Sequence, residues 1–299
     1  MVLVIFSIAC FSQTTIAVQD FDAGTSLTFT NTSGSTQSGS SASGDRPASS
    51  NFYSNASTAW KANNETSTLT FSNVTGLSAY NSKYFEFRLA AWSIGSTGNG
   101  VDGTDVVTVS ISVDGGGTYS DEITVKGNAN AYWHYSTGTG LASTNYDGDN
   151  TPVNFVPSGG GNRTSDGYST VRVSLDNSVS QARLKIKLLN NASAEYWTID
   201  EVKIIGTLIP VGSSTLSAGP TGEPLSVSSL TNTQGAASIN FDFIVQDDGA
   251  TPATDALPTQ ISQIVFTSGT GNAVSDLSAV ISGAELSDGT NSTLSQVAL

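Results

Sequence analysis

Val107-Thr108-Val109-Ser110-Ile111-Ser112-Val113 alternates apolar and hydroxyl side chains without a break. Successive residues of a strand point to opposite faces, so this segment buries branched aliphatics on one face and turns hydroxyls to water on the other. The turn-forming run Asp114-Gly115-Gly116-Gly117 follows, and after Tyr119 comes a further strand over Glu122–Val125. Strand, glycine turn and returning strand predict an antiparallel hairpin.

The same period recurs on both sides of the hairpin. Phe85, Phe87 and Leu89 alternate with Glu86 and Arg88. Val171, Val173 and Leu175 alternate with Arg172 and Ser174, and Leu184, Ile186 and Leu188 with Lys185 and Lys187. Helical periodicity is nearly absent, so the fold class is all-β, with sheets that bury one face and wet the other. Thr30–Ser50 and Thr137–Asp166 carry almost no apolar pattern and read as long loops. In Tyr196–Ile204 the apolar positions change parity: Trp197 and Ile199 are odd, Val202 and Ile204 even. One extra residue restores a common face, which predicts a β-bulge at Asp200-Glu201.

Composition agrees with short strands and polar turns. Charged residues make up 12% of the 299, against about 25% in an average soluble domain. The 25 acids and 11 bases give a formal charge of −14. Phosphate binding needs clustered Lys and Arg, so nucleic acid is excluded as a partner, and an anionic membrane surface with it. Residues 211–299 hold 8 of the acids and no base, a shift that marks a boundary near Pro210. Residues 1–17 open on the apolar run Met1–Phe11, too short to span a bilayer. They read as an export leader, although no Lys or Arg precedes the run. No membrane insertion is expected beyond this leader, and the mature chain is expected to be extracellular or on the cell surface. Residues 18–207 then form a large jelly-roll-like sandwich and 208–224 a linker with three prolines. Residues 225–299 form a second, smaller Ig-like sandwich with strands over 225–230, 237–245 and 261–266. At about 75 residues this is shorter than the ~100 of an immunoglobulin-like sandwich, so it reads as truncated.

The closing strand Tyr196-Trp197-Thr198-Ile199-Asp200-Glu201-Val202-Lys203-Ile204 resembles the last strand of jelly-roll modules such as carbohydrate-binding modules and MAM-type domains. Val18-Gln19-Asp20-Phe21-Asp22 looks like the matching first strand. The wider pattern is similar to secreted β-sandwich modules of large Bacteroidetes-type surface proteins, and the part after Leu225 to repeat modules of the same proteins. The resemblance implies an architecture and a location rather than an activity.

Five constellations could carry chemistry. If the bulge turns Asp200 toward the first strand, it meets Asp20 and Asp22, and these acids could hold one structural Ca²⁺; the alternative is ordinary solvated acids. Asp147-Gly148-Asp149-Asn150 has the oxygen density of a calcium loop but not the full ligand run of an EF-hand, and Asx-Gly turns look the same. Tyr132-Trp133-His134-Tyr135 must divide between two strand faces, so two rings are expected to be exposed or to lie under a loop. With Trp92 and Trp60 they could stack on sugar rings, or else pack the core. Arg172, Arg183, Lys185, Lys187 and Lys203 fall on polar phases and are expected to form one basic stripe, which would also discourage edge pairing. Catalysis has little to build on. His134 is the single histidine, no G-x-S-x-G elbow occurs, and a His/Cys zinc site cannot be assembled. A glycosidase would need only two carboxylates, but no acid pair stands out. The expectation is therefore a non-catalytic extracellular binding or adhesion module with a glycan, cell-surface or matrix partner. The alternatives are a structural spacer of a surface protein and the accessory region of a larger secreted hydrolase.

Overall fold

The computed structural model describes residues 13–23, 25–158, 166–209, 215–218, 242–246, 283–287 and 293–298. Residues Cys10–Ile209 belong to one compact unit, a sandwich of two seven-stranded sheets. The first sheet runs, in spatial order, β10 (Gly140–Asn145), β12 (Tyr168–Ser174), β7 (Tyr80–Ser93), β14 (Glu195–Leu208), β4 (Thr58–Ala62) and β3 (Ser35–Ser38). Its seventh strand, β1 (Gln13–Gln19), also pairs with β14. The second sheet runs β11 (Val153–Phe155), β9 (Ser120–Lys126), β8 (Val106–Ser112), β13 (Gln181–Asn190), β5 (Glu65–Phe71) and β2 (Phe29–Asn31), with β6 (Val74–Thr75) beside β13. All pairings are antiparallel except those of the edge strands β10 and β11.

The hairpin read from Val107–Val125 is β8 and β9. Asp114 closes it as an anionic cap. Its carboxylate accepts from the hydroxyls of Ser112 and Thr118 and from the N–H groups of Gly116, Gly117 and Thr118. These bonds, led by the Ser112 hydroxyl, hold its pKa well below the usual carboxylate range.

The bulge also falls where the parity change puts it. Asp200 faces Arg88 and Lys203 faces Glu86, so β14 carries one residue more than β7 between these pairs. Glu201 absorbs the extra residue with φ +50°. As a result Trp197, Ile199, Val202 and Ile204 all point into the same core. On the opposite edge, β14 pairs with β4 before the bulge and with β1 after it. The core between the sheets is filled by the inward phases of β5, β7, β8, β12, β13 and β14, with Phe85, Phe87, Val109, Leu184 and Ile186 at most 1% exposed. Burying each such side chain is worth about 1.5–3 kcal/mol.

Three readings are revised. The stretch Thr137–Asp166 contains β10 and β11, and Thr30–Ser50 contains β3. These are edge strands with little buried surface; in β10 only Ala142 is buried. They therefore lack the alternation that reveals a strand. Gln13–Ala17, placed in the expected leader, form most of β1, and Ala17 is in the core. The basic residues do not form one stripe. Arg172 and Lys203 lie on the first sheet around Glu86, at 2.6 and 4.0 Å. Arg183, Lys185 and Lys187 lie on β13 of the second sheet.

Pro210–Leu299 belong to a second unit. Its described strands are the antiparallel pairs β15 (Thr215–Ala218) with β16 (Phe243–Gln246) and β17 (Gly283–Ser287) with β18 (Thr293–Ala298). β15 lies within the stretch read as a linker. The strands expected over 225–230 and 261–266 lie outside the described residues.

Candidate functional site

Part of the outer face of the first sheet is covered. It carries a second, small core of Phe52, Ala90, Trp92 and Tyr135, with Tyr196 packed against it. Phe52 lies against the Trp92 ring at 4.3 Å. The Tyr135 hydroxyl donates to the Phe52 carbonyl at 3.0 Å, and Trp92 Nε1 donates to Thr198 Oγ1 at 2.8 Å. His134 Nε2 lies 2.9 Å from the Asn51 carbonyl, which can only accept, so Nε2 carries the proton and Nδ1 faces the Ser136 hydroxyl. Burial, helped by the nearby Arg88 charge, keeps the ring's pKa below its ordinary value.

Trp133 points the other way, into the main core. Its Nε1 donates to the Leu89 carbonyl and its ring meets Trp197 edge-on at 5.6 Å. Gly167 packs directly on this ring; a Cβ there would lie 2.4 Å from ring atoms. Trp92, Trp133, Tyr135 and Tyr132 are thus all buried. They divide between the main core and the outer cluster, though not in strand alternation, since Trp133 and Tyr135 part; both places are covered, so the run offers no open stacking platform. Trp60 is likewise buried, its Nε1 held by Ser67.

The acids expected to share a calcium ion are used separately. Asp22 accepts from the N–H and hydroxyl of Ser57 and the hydroxyl of Thr58. Partial burial raises its pKa, but these bonds outweigh it and leave the carboxyl below its ordinary value. Asp20 Oδ1 accepts the Asp22 N–H. Asp200 does not turn toward the first strand. It accepts from Ser54 N–H, Ser54 Oγ and Asn55 N–H, and its burial pushes the carboxyl up to about 6 against those bonds. The bulge re-aims Asp200 at the loop before β4, which leaves it apart from Asp20 and Asp22. In the Asp147–Asn150 loop, Asp147 and Asp149 each accept an N–H from two residues on. These are Asx turns.

One acidic cluster was missed. Asp102, Asp105 and Glu195 offer carboxylate oxygens that all lie within 4.8 Å of one another, the one such group of three among the described residues. Asp102 and Asp105 immediately precede β8, and Glu195 opens β14. Burial, then a hydrogen bond and charge from Asp105, push the Glu195 carboxyl far above its ordinary pKa. The Asp102-Gly103-Thr104-Asp105 doublet was the available signal; its partner lies 90 residues later, beyond the reach of local patterning.

Among the depressions of the described surface are two of about 320 Å³ each. One is lined by Arg46, Pro47, Ala48 and Tyr132. The other is lined by Asn145, Tyr146, Ser174, Leu175, Asp176 and Asn177, where the ends of β10 and β12 meet. Lys83 braces this second cleft from behind. Its side chain is buried, and Nζ donates to the carbonyls of Tyr80 and Asn177. Asn177 Oδ1 takes the Ser82 N–H, and Tyr146 N–H donates to the Ser174 carbonyl.

No family model matches the chain, and no curated protein matches it. Among solved structures it is similar to TmCBM61, a carbohydrate-binding module solved in complex with beta-1,4-galactotriose. The identity is 8% and the TM-score 0.33, over 60% of this chain and 87% of that one. Among the described residues no helix is long and apolar enough to cross a membrane.

Proposed function

We propose that the chain is a non-catalytic extracellular binding module for a neutral glycan of a cell surface or matrix, and that the ligand sits in the cleft at Asn145–Asn177. The cleft lining carries the proposal. It sets carboxamides (Asn145, Asn177), a carboxylate (Asp176) and a hydroxyl (Ser174) beside the half-buried Tyr146 ring. Paired donors and acceptors suit a sugar's vicinal hydroxyls, and an aromatic edge suits its C–H face. The volume is at the lower end of the roughly 300–1,000 Å³ of ligand sites. No Lys or Arg lines it, which favours a neutral ligand over an anionic one. The depression at Arg46–Tyr132 is poorer in such groups, since Arg46 Nη1 already donates to the carbonyls of Gly44 and Asp45.

A spacer role is the second reading, favoured by the aromatic cluster that the protein uses to seal its own outer face. Affinity electrophoresis of the full chain against a panel of neutral polysaccharides separates the two. A binder is retarded by at least one of them, and a spacer by none.

A further inference from the structure

We propose that Asp102, Asp105 and Glu195 bind one divalent cation, calcium in preference to magnesium, which ties the two sheets together at one end of the sandwich. Asp102 and Asp105 lead into β8 of the second sheet, and Glu195 begins β14 of the first. Their carboxylates converge within 4.8 Å. Among the described residues, none of the ion pairs reaches them. Three acids in one place without a cation repel one another, and burial strengthens the repulsion.

A second observation points to a ligand. Glu195 is 7% exposed, and no N–H or hydroxyl group donates to its buried Oε2; the hydrogen bond it shares with Asp105 needs a proton held between the two carboxyls, a place that a cation can take. Buried carboxylate oxygens are ordinarily satisfied. The carboxylate it belongs to converges with two others.

The other two acids are already positioned. Asp102 N–H donates to Asp105 Oδ2 at 2.7 Å, and Asn191 N–H donates to Asp105 Oδ1 at 3.0 Å. Thr104 fixes Asp102 by donating both its N–H and its hydroxyl to Oδ1, at 2.7 and 2.6 Å, which leaves Oδ2 for a metal. Carboxylate oxygens keep further lone pairs after such bonds. The donor set is all hard oxygen. Calcium takes six to eight such ligands in flexible geometry and accepts water and main-chain carbonyls for the remainder, whereas magnesium demands a strict octahedron and sheds water reluctantly. Zinc would want nitrogen or sulfur. The site shares no residue with the proposed glycan cleft and does not depend on that reading.

The test uses the full chain, stripped with EDTA and titrated separately with CaCl₂ and MgCl₂, by calorimetry and by thermal melting. One Ca²⁺ should bind per chain and raise the melting temperature by several degrees, with a much weaker response to Mg²⁺. Glu195→Gln keeps the side-chain length and, like the protonated acid, is neutral, but it cannot supply a carboxylate to a cation. It should melt no lower than wild type in EDTA and lose the calcium response, while Asp22→Asn should keep it. If Glu195→Gln does not fold, Asp102→Asn takes its place in the same comparison. Absence of calcium binding by the wild-type chain overturns the proposal, as does binding that survives these substitutions or is lost in Asp22→Asn.

Discussion

Asp200 holds Ser54, 146 residues earlier in the chain, by two hydrogen bonds to Oδ2, from the backbone N–H at 2.8 Å and the hydroxyl at 3.0 Å. The bulge at Glu201 makes this possible by keeping the flanking apolar residues in the core while Asp200 faces the loop. Replacing Asp200 with Ala leaves the N–H groups of Ser54, Asn55 and Glu201 without this acceptor. The expected cost is about 2–4 kcal/mol, measured by urea denaturation.

The same carboxyl makes stability depend on pH. Its folded pKa, about 6, lies above the ordinary 3.8. The folded state therefore holds the proton more tightly, and the contribution is full below about pH 3.8 and lost as pH rises through 6. Between pH 7 and pH 5 wild type should gain about 1 kcal/mol more than Asp200→Asn. Paired denaturation curves in EDTA would show it; equal slopes would contradict it.

Asp114 has the opposite sign. Its depressed pKa means that the hairpin cap stabilises above the ordinary carboxylate value and is lost as pH falls below it. Asp114→Asn should therefore lower the melting temperature at pH 7 and flatten the acid side of the stability curve. Hydrogen exchange should speed first at Ser112–Ser120.

Phe52 closes the outer cluster over Trp92. Phe52→Ala should cost about 3 kcal/mol and open Trp92 to acrylamide quenching. Gly167→Ala should destabilise through its clash with Trp133, by about 1–3 kcal/mol, without increasing quenching of Trp92.

The strands that bury a full apolar face were legible, because period-2 alternation records which side chains enter the core; it does not record what covers the other face, where Ser110 and Ser112 are buried rather than turned to water. Val107–Val113, Leu184–Leu188 and the parity change at Asp200-Glu201 all translate into observed pairing. The edge strands β3, β10 and β11 were not, since burial there is too slight to impose a pattern. The aromatic run was misjudged for a physical reason. Alternation would put Trp133 and Tyr135 on one face, but the bridged segment ends at Trp133 and Tyr135 lies in the turn after it, so Trp133 enters the main core and Tyr135 the outer cluster that Phe52 covers. The acids show the same limit. Asp20, Asp22 and Asp200 were grouped by strand adjacency, whereas side-chain direction at the bulge gives each its own partner. The convergence of Asp105 with Glu195 depends on two sheets meeting, which no local window records.

The central claim is that the cleft at Asn145–Asn177 binds a neutral glycan, and affinity electrophoresis of wild type beside Asn145→Ala tests it most directly. Asn145 is exposed at the end of an edge strand, so the variant should melt like wild type. The expected result is retardation of the wild-type chain by at least one neutral polysaccharide, with a loss of tenfold or so in affinity for Asn145→Ala, on the order of 1.4 kcal/mol. Wild-type mobility unchanged by every polysaccharide, or retardation that Asn145→Ala leaves intact, would contradict it.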